Sequence, residues 1–407
     1  MTIVTKLELP RLDYTDPAMR GDRFHAAMRE LQEQGWLAAG PFGCVVLDRE
    51  AIEFFLRSKT METPGRPMIE WFDVGEGPLR DELELNLLTV GGADHRRLRT
   101  LVNPALSARG VERYRPTMRR LLGTLLDRVE PDGRCEFVSA IGKPYPSQVI
   151  ATILGASVDD ADQLHEWSHW IERQFDVTSM AEERDGIERA VRASYAYADE
   201  LIRARRAEPA DDLTSRLVAV ELEGDRLSDV ELVNLVLNLQ VGGIDTVQSQ
   251  LAQTVRLFAE HPEQWRALRE NPELVPAAVE EALRFEPILP FTARVLLEDL
   301  EYRGVAFPAG SAVMLCMFTA NRQLDGGSGD PWAFDITADR GGARLMSFGA
   351  GQHFCVGSNL ARAELEEALS LLSTRLATLE PDGEPTYGSA TGLYGLDALP
   401  IRFTPAG

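Results

Sequence analysis

The stretch Phe348-Gly349-Ala350-Gly351-Gln352-His353-Phe354-Cys355-Val356-Gly357 decides how the rest of the chain is understood. It sets a cysteine in a glycine-rich loop, directly before Ser358-Asn359. From there Leu365, Leu369, Leu372 and Leu376 recur at spacings of 4, 3 and 4, the apolar stripe of an amphipathic helix. Cys355 therefore stands just ahead of a helix N-terminus, where unpaired N–H groups and the helix dipole favour an anion. Such a position favours thiolate, the form that binds metal. Gly351 and Gly357 permit close backbone approach or left-handed angles. A lone cysteine is usually a buried structural residue, but ten positions of fixed type argue against that here.

The loop resembles the haem-ligand loop of the cytochrome P450 family: aromatic, Gly, a Gly two before a basic residue, then Cys and, two on, Gly. The resemblance implies that Cys355 is the metal ligand, the axial thiolate of a haem b iron, with Phe348 and Gly357 beside the cofactor. It also implies a mainly α fold with a small β-rich region, the cytochrome P450 fold, as a single haem domain over residues 1–407.

Working back from the cysteine, Ser228-Asp229-Val230-Glu231 is a capping box. It predicts a helix running to Glu260, about 50 Å long at 1.5 Å per residue. Its middle is Val241-Gly242-Gly243-Ile244-Asp245-Thr246-Val247. Glycines in a helix interior cost ~1 kcal/mol each, so a flat ligand lying close and a local opening of the hydrogen-bond ladder are expected. Thr246 shares a stripe with Gly242, Leu239 and Leu235, and Asp245 stands beside it. A threonine bonding back to the carbonyl four before it is the plainer reading. The stretch is similar to the family's oxygen-activation motif, small-Gly-x-acid-Thr, and especially to that of the camphor hydroxylase type. The resemblance makes Thr246 and Asp245 catalytic: Thr246 holds a water where oxygen is activated, and Asp245 relays protons into a dry pocket. Asn238, Val241 and Gly242 would line the substrate pocket, with Leu289 and Leu393. The polarity of Asn238 points to a substrate bearing a hydroxyl or carbonyl.

Between His95 and Arg120 lie eight arginines (96, 97, 99, 109, 113, 115, 119, 120) against one acid, Glu112. His95 and Arg99 are four apart and share a helix face. The resemblance assigns this pair, with Arg294 and His353, to the haem propionates, where charge-assisted bonds are strong. Arg96, Arg97, Arg109 and Arg113 would offer a docking surface for an acidic ferredoxin-type electron donor.

Elsewhere, helices are expected from Arg23 to Gln34 and Asp48 to Arg57 around a β-like run at 43–47. The cluster Thr63-Pro64-Gly65-Arg66-Pro67, followed by Met68, Ile69, Trp71 and Phe72, predicts a loop over a pocket. Residues 121–227 are helical, with breaks at 131–133, 208–210 and Glu223-Gly224-Asp225. His165-Glu166-Trp167-Ser168-His169 is a literal H-E-x-x-H, so a zinc hydrolase using His165, Glu166 and His169 is a remote rival. Glu281 and Arg284 match the family's structural E-x-x-R pair. Three departures from the family stand out: Gln323 where an Asp is usual, a rearranged segment around Asp325, and Ala333 where an Arg commonly joins the Glu281–Arg284 network. Thr391-Gly392-Leu393-Tyr394 is expected as a substrate-facing loop.

Composition narrows the classes. A net charge of −22 disfavours nucleic acid and anionic membrane surfaces as partners. No apolar run of membrane-spanning length and no signal peptide is seen, and four scattered cysteines suit a reducing, cytoplasmic setting. The expected function is a bacterial, soluble haem-thiolate monooxygenase, an oxidoreductase that uses dioxygen. It would hydroxylate or epoxidise a moderately sized, mostly apolar molecule (terpenoid, steroid or polyketide-like). No flavin or iron–sulfur module is expected within the chain, so electrons would come from a separate ferredoxin. A peroxide-driven peroxygenase is the alternative, and it would dispense with Asp245 and Thr246.

Overall fold

The computed structural model describes residues 2–222, 227–324, 326–342, 344–388, 390 and 392–406. The expectations at Glu223-Gly224-Asp225, at Asp325 and at Thr391 lie outside them. The chain is mostly helical with small sheets, and it divides into two compact units, each assembled from separated stretches.

The first unit comprises residues 1–64, 280–355 and 387–395. Its centre is a five-stranded mixed sheet in the order Leu37–Gly40, Gly43–Val46, Ala312–Cys316, Phe291–Leu296, Met61–Glu62. Only the Gly43–Val46 and Ala312–Cys316 pair runs parallel. Helix Gly21–Gln34 buries Phe24, Met28 and Leu31, an i, i+4, i+7 stripe. The Phe24 ring meets Phe318 edge-on at 4.8 Å. Helix Arg49–Arg57 starts where Asp48 accepts the Ala51 N–H at 3.0 Å. Gln323 serves the same end: its side-chain oxygen accepts the Arg49 N–H at 2.5 Å.

The second unit comprises residues 65–279, 356–386 and 396–407. Its axis is the helix Asp229–Glu260, 32 residues long, with both hydrogen bonds of the capping box at Ser228 and Glu231. Helices Pro144–Leu154, Ala161–Glu172 and Arg184–Ala207 pack against it, and Ser358–Arg375 packs on Arg115–Val129. By length and composition Asp229–Glu260 could cross a membrane, but most of its apolar window is buried in protein. Strands Leu376–Pro381, Pro400–Pro405 and Arg134–Glu136 form a small antiparallel sheet.

Two local expectations change. Residues 65–71 form a helix, Gly65–Trp71, rather than a loop, and bury Met68 and Ile69 against Ile171, Met180 and Val241. Pro67 lies in the first turn, where its missing N–H costs nothing. Gly65 is required because a Cβ there would lie 2.0 Å from Thr89 Cγ2. The break at 131–133 holds, and Gly133 at φ +62° turns the chain into the unforeseen strand Arg134–Glu136.

Candidate functional site

In the first unit, Gly349 (φ +70°) and Gly351 (φ +72°) shape the cysteine loop. A Cβ on Gly351 would also meet the Leu56 carbonyl oxygen at 2.7 Å. The Cys355 N–H donates to the Phe348 carbonyl at 2.9 Å, and Gly349 N–H donates to Met346 at 2.7 Å. The loop thus closes on itself and leaves the thiol half-buried. Phe354 stacks under the Arg344 guanidinium at 3.9 Å, and His353 Nε2 lies 3.0 Å from the Gln352 side-chain amide.

Arg294 sits on strand Phe291–Leu296, 7% exposed. Its hydrogen bonds go only to Thr292 Oγ1 (3.2 Å) and the Ala293 carbonyl (2.7 Å). Among the described residues no carboxylate pairs with it, and burial pushes its pKa down to about 10. An uncompensated buried guanidinium is costly unless a ligand anion completes it. Haem carries two carboxylates, and Cys355 supplies a half-buried thiol within the same unit. The residues present therefore fit that group.

Glu281 and Arg284 form a bidentate pair, 2.7 and 2.8 Å, with both side chains buried. The place left by Ala333 is filled by Arg340, which reaches Glu281 at 2.6 and 3.1 Å. The Ala333 carbonyl itself accepts from Arg284 at 3.0 Å. Arg340 carries no sequence signal because it stands in an irregular stretch. Leu289 is 37% exposed and Leu393 half-buried.

In the second unit, His95 is buried and Arg99 half-buried on helix Gly92–Leu106. Burial, and then the Arg99 and Arg96 charges, hold the His95 pKa below the ordinary histidine range. The arginine block is less free than its composition implies. Arg97 pairs with Glu231, and Arg113 with Asp211 at 2.7 Å. Arg115 and Arg119 converge on Glu367, and Arg115 also reaches Glu366 at 2.7 Å. Distant acids neutralise these cations, which a local count of charges cannot reveal. Among the described residues Arg96, Arg109 and Arg120 make no ion pair.

The glycines of the long helix serve different ends. The helix is α throughout, with no opened turn. A Cβ on Gly243 would lie 2.2 Å from Ile150 Cδ1, so close helix packing requires that glycine. Gly242 faces open space. Thr246 Oγ1 donates to the Gly242 carbonyl at 2.7 Å, the back-bond of the plainer reading, which fixes the hydroxyl on that open face. Gly357 is the N-cap of helix Ser358–Arg375. Val241 is buried in the apolar cluster with Met68 and Ile171.

Asp245 is buried, 3% exposed. Ser168 Oγ donates to its Oδ2. Its Oδ1 lies 3.7 Å from His169 Nδ1 and 4.0 Å from His165 Nε2. The H-E-x-x-H histidines thus face a carboxylate of the long helix. Among the described residues no group of three His, Cys, Asp or Glu side chains could hold a metal ion.

Asn238 overturns its expected reading. Its Oδ1 accepts the Leu87 N–H at 2.7 Å and its Nδ2 lies 3.5 Å from Glu82 Oε1. Its polarity is spent within the protein and implies nothing about a substrate. Glu82, which the sequence did not single out, is 1% exposed, and burial raises its pKa to about 7.

Comparison with known proteins agrees with these features. Residues 17–385 match the family Cytochrome P450. The luteothin monooxygenase of Streptomyces thioluteus is 38% identical over 403 residues, covering 98% of this chain and 97% of that protein. The mycinamicin IV hydroxylase/epoxidase of Micromonospora griseorubida is 36% identical over 321 residues, covering 77% and 79%. The crystal structure of CalO2 superposes with a TM-score of 0.90 at 28% identity, covering 98% of this chain and all of that one. The chain belongs to the cytochrome P450 family and is a monooxygenase of that family, whose cofactor is haem with a cysteine thiolate on the iron.

Proposed function

We propose that this monooxygenase hydroxylates or epoxidises a moderately sized, mostly apolar metabolite, acting as a single haem domain in the cytoplasm with electrons from a separate ferredoxin. The observation that carries this reading is the self-closed, glycine-shaped loop that leaves the Cys355 thiol half-buried. Relatives named for monooxygenation and for hydroxylation or epoxidation support it.

In this reading Cys355 binds the iron, Phe348 and Gly357 flank the cofactor, and Arg294, His95, Arg99 and His353 hold the propionates. Bound in this way, haem supplies reductive activation of dioxygen, so that one oxygen atom enters a C–H or C=C bond and the other leaves as water. That stoichiometry consumes two electrons and two protons, and the chain's own part is to deliver the protons. The Thr246 hydroxyl, its proton committed to Gly242, accepts a hydrogen bond from a water on the open face. Asp245, one residue before, passes protons toward that water. The acid–alcohol pair favours dioxygen over the peroxide-driven alternative. Thr246→Ala should uncouple turnover, so that peroxide is released while substrate still binds. Val241, Gly242, Leu289 and Leu393 are the proposed pocket positions. Arg96 and Arg109, exposed and without ion pairs among the described residues, are better placed for an acidic ferredoxin than Arg97 and Arg113, whose charges are already matched.

The test is the spectrum of the dithionite-reduced protein under carbon monoxide. A strongly red-shifted Soret band is expected, and its loss in Cys355→Ser. A red-shifted band that survives Cys355→Ser would overturn the ligand assignment.

A further inference from the structure

Resting on the reading of Asp245 as a proton relay, we infer that His169 is the entry port through which solvent protons reach it, with His165 holding the arrangement in place. The two histidines are one turn apart on helix Ala161–Glu172, with rings 6.1 Å apart and 8° from parallel. They differ in what surrounds them. His165 is largely buried, and its Nε2 lies 2.7 Å from Gln248 Oε1, so the proton nearest Asp245 is already committed. Burial also lowers the pKa of His165, against the Asp245 charge and the Gln248 bond that raise it. His169 is 53% exposed and presents Nδ1 to Asp245 Oδ1 at 3.7 Å. The other carboxylate oxygen is occupied by Ser168, so His169 joins water to the one open oxygen of a buried acid.

The remaining charges do not compete for this role. Lys143 opposes a charge on His165. On the same helix, Glu172 has its carboxyl raised well above the usual range by burial, and after that by the Asp245 and Glu82 charges. Glu82, on helix Pro78–Leu85, is raised in the same way by burial. The transfer itself is balanced. The Nδ1–H bond of the imidazolium breaks, an O–H bond forms on Asp245, and the imidazole regains a proton from bulk water. No electrons move. The 3.7 Å separation is longer than a hydrogen bond, and catalytic contacts are commonly long before the reacting complex forms.

The inference is tested on the haem-loaded enzyme with NADH, ferredoxin reductase, ferredoxin and any ligand that shifts the spin state. Replacing His169 by Gln should slow dioxygen-dependent turnover about tenfold or more, raise the solvent deuterium isotope effect and increase peroxide release. The ligand-induced spin-state midpoint and the rate of first-electron transfer should not change. Wild-type turnover should fall with rising pH, and this dependence should vanish in His169→Gln. An independent measurement follows His169 by imidazole NMR in the diamagnetic ferrous carbonyl form, where Asp245→Asn should move the Nδ1 resonance that faces the carboxylate. An unmoved Nδ1 resonance, or unchanged kinetics in His169→Gln while Asp245→Asn is slow, would overturn the port and leave the Asp245 reading standing. Unchanged kinetics in Asp245→Asn would remove both.

Discussion

Two arginines in the same unit, both buried, are handled in opposite ways. Arg284 is bidentate to Glu281, also bonds the Pro331 carbonyl at 2.7 Å and the Ala333 carbonyl at 3.0 Å, and shares its carboxylate with Arg340. Arg294 has one hydroxyl, one carbonyl and no acid among the described residues. The first cation is compensated when the protein folds; the second meets no counter-charge among the described residues and is placed for a ligand anion. A saturated network belongs to architecture, and an unsaturated buried charge marks where a ligand anion is expected.

The largest break in this contrast comes from Glu281→Gln. It strands Arg284 without a counter-charge and should cost about 3–5 kcal/mol, read as a lowered urea midpoint for loss of the Soret band. The sign with pH agrees. Burial works to raise the Glu281 carboxyl, but bonds from Arg284 and Arg340 prevail and leave its pKa below the ordinary value. The stabilisation is therefore present above the ordinary glutamate range and is lost as pH falls below that range through the lowered pKa.

Glu82 extends the comparison to an acid in the second unit. It accepts from Asn86, but no cation reaches it, and its Oε2 makes no hydrogen bond among the described residues. Burial raises its pKa from 4.5 to about 7. A raised acid contributes stability that is complete below the ordinary carboxylate range and is lost as pH rises through about 7. Glu82→Gln should therefore stabilise the protein at pH 8 by about 3 kcal/mol relative to its effect at pH 4, at ~1.4 kcal/mol per unit. Thermal melts at the two pH values read this directly, and an equal effect at both would mean the carboxyl is ionised in the fold.

Arg294→Met tests the second half of the contrast. Without haem, the variant should be more stable than the wild type by about 1–2 kcal/mol, because a buried unpaired charge has been replaced by apolar volume. With haem it should lose the cofactor faster to a competing apoglobin. Slower loss, or a destabilised apoprotein, would mean that Arg294 has a protein partner and not a ligand one.

What the sequence conveyed follows from range. The cysteine loop, the capping box and the long helix are patterns closed within a few turns, and the structure has them at the expected positions. The pairings that decide chemistry are remote: Arg340 on Glu281, Ser168 on Asp245, and Leu87 with Glu82 on Asn238. No spacing announces them. Asn238 was misread because a polar residue on an apolar face has two remedies, a ligand or a backbone N–H, and only coordinates choose between them. Residues 65–71 were misread because proline and glycine punctuate loops and first turns alike.

The smallest effect probes how complete the saturated network is. Arg340 is the more exposed partner of Glu281, with a side chain 17% exposed against 1% for Arg284. It stands near the position where relatives of this fold were expected to place their arginine at 333. If Glu281 is satisfied by Arg284 alone, Arg340→Ala should cost about 1 kcal/mol, the worth of one peripheral charge-assisted contact. If the carboxylate needs both cations, the loss should approach that of Glu281→Gln and should not be additive with it. A double-mutant cycle on urea midpoints separates the two cases. Restoring the usual arrangement with Ala333→Arg in the Arg340→Ala background should recover the loss only if what the site requires is a second guanidinium, whichever residue carries it.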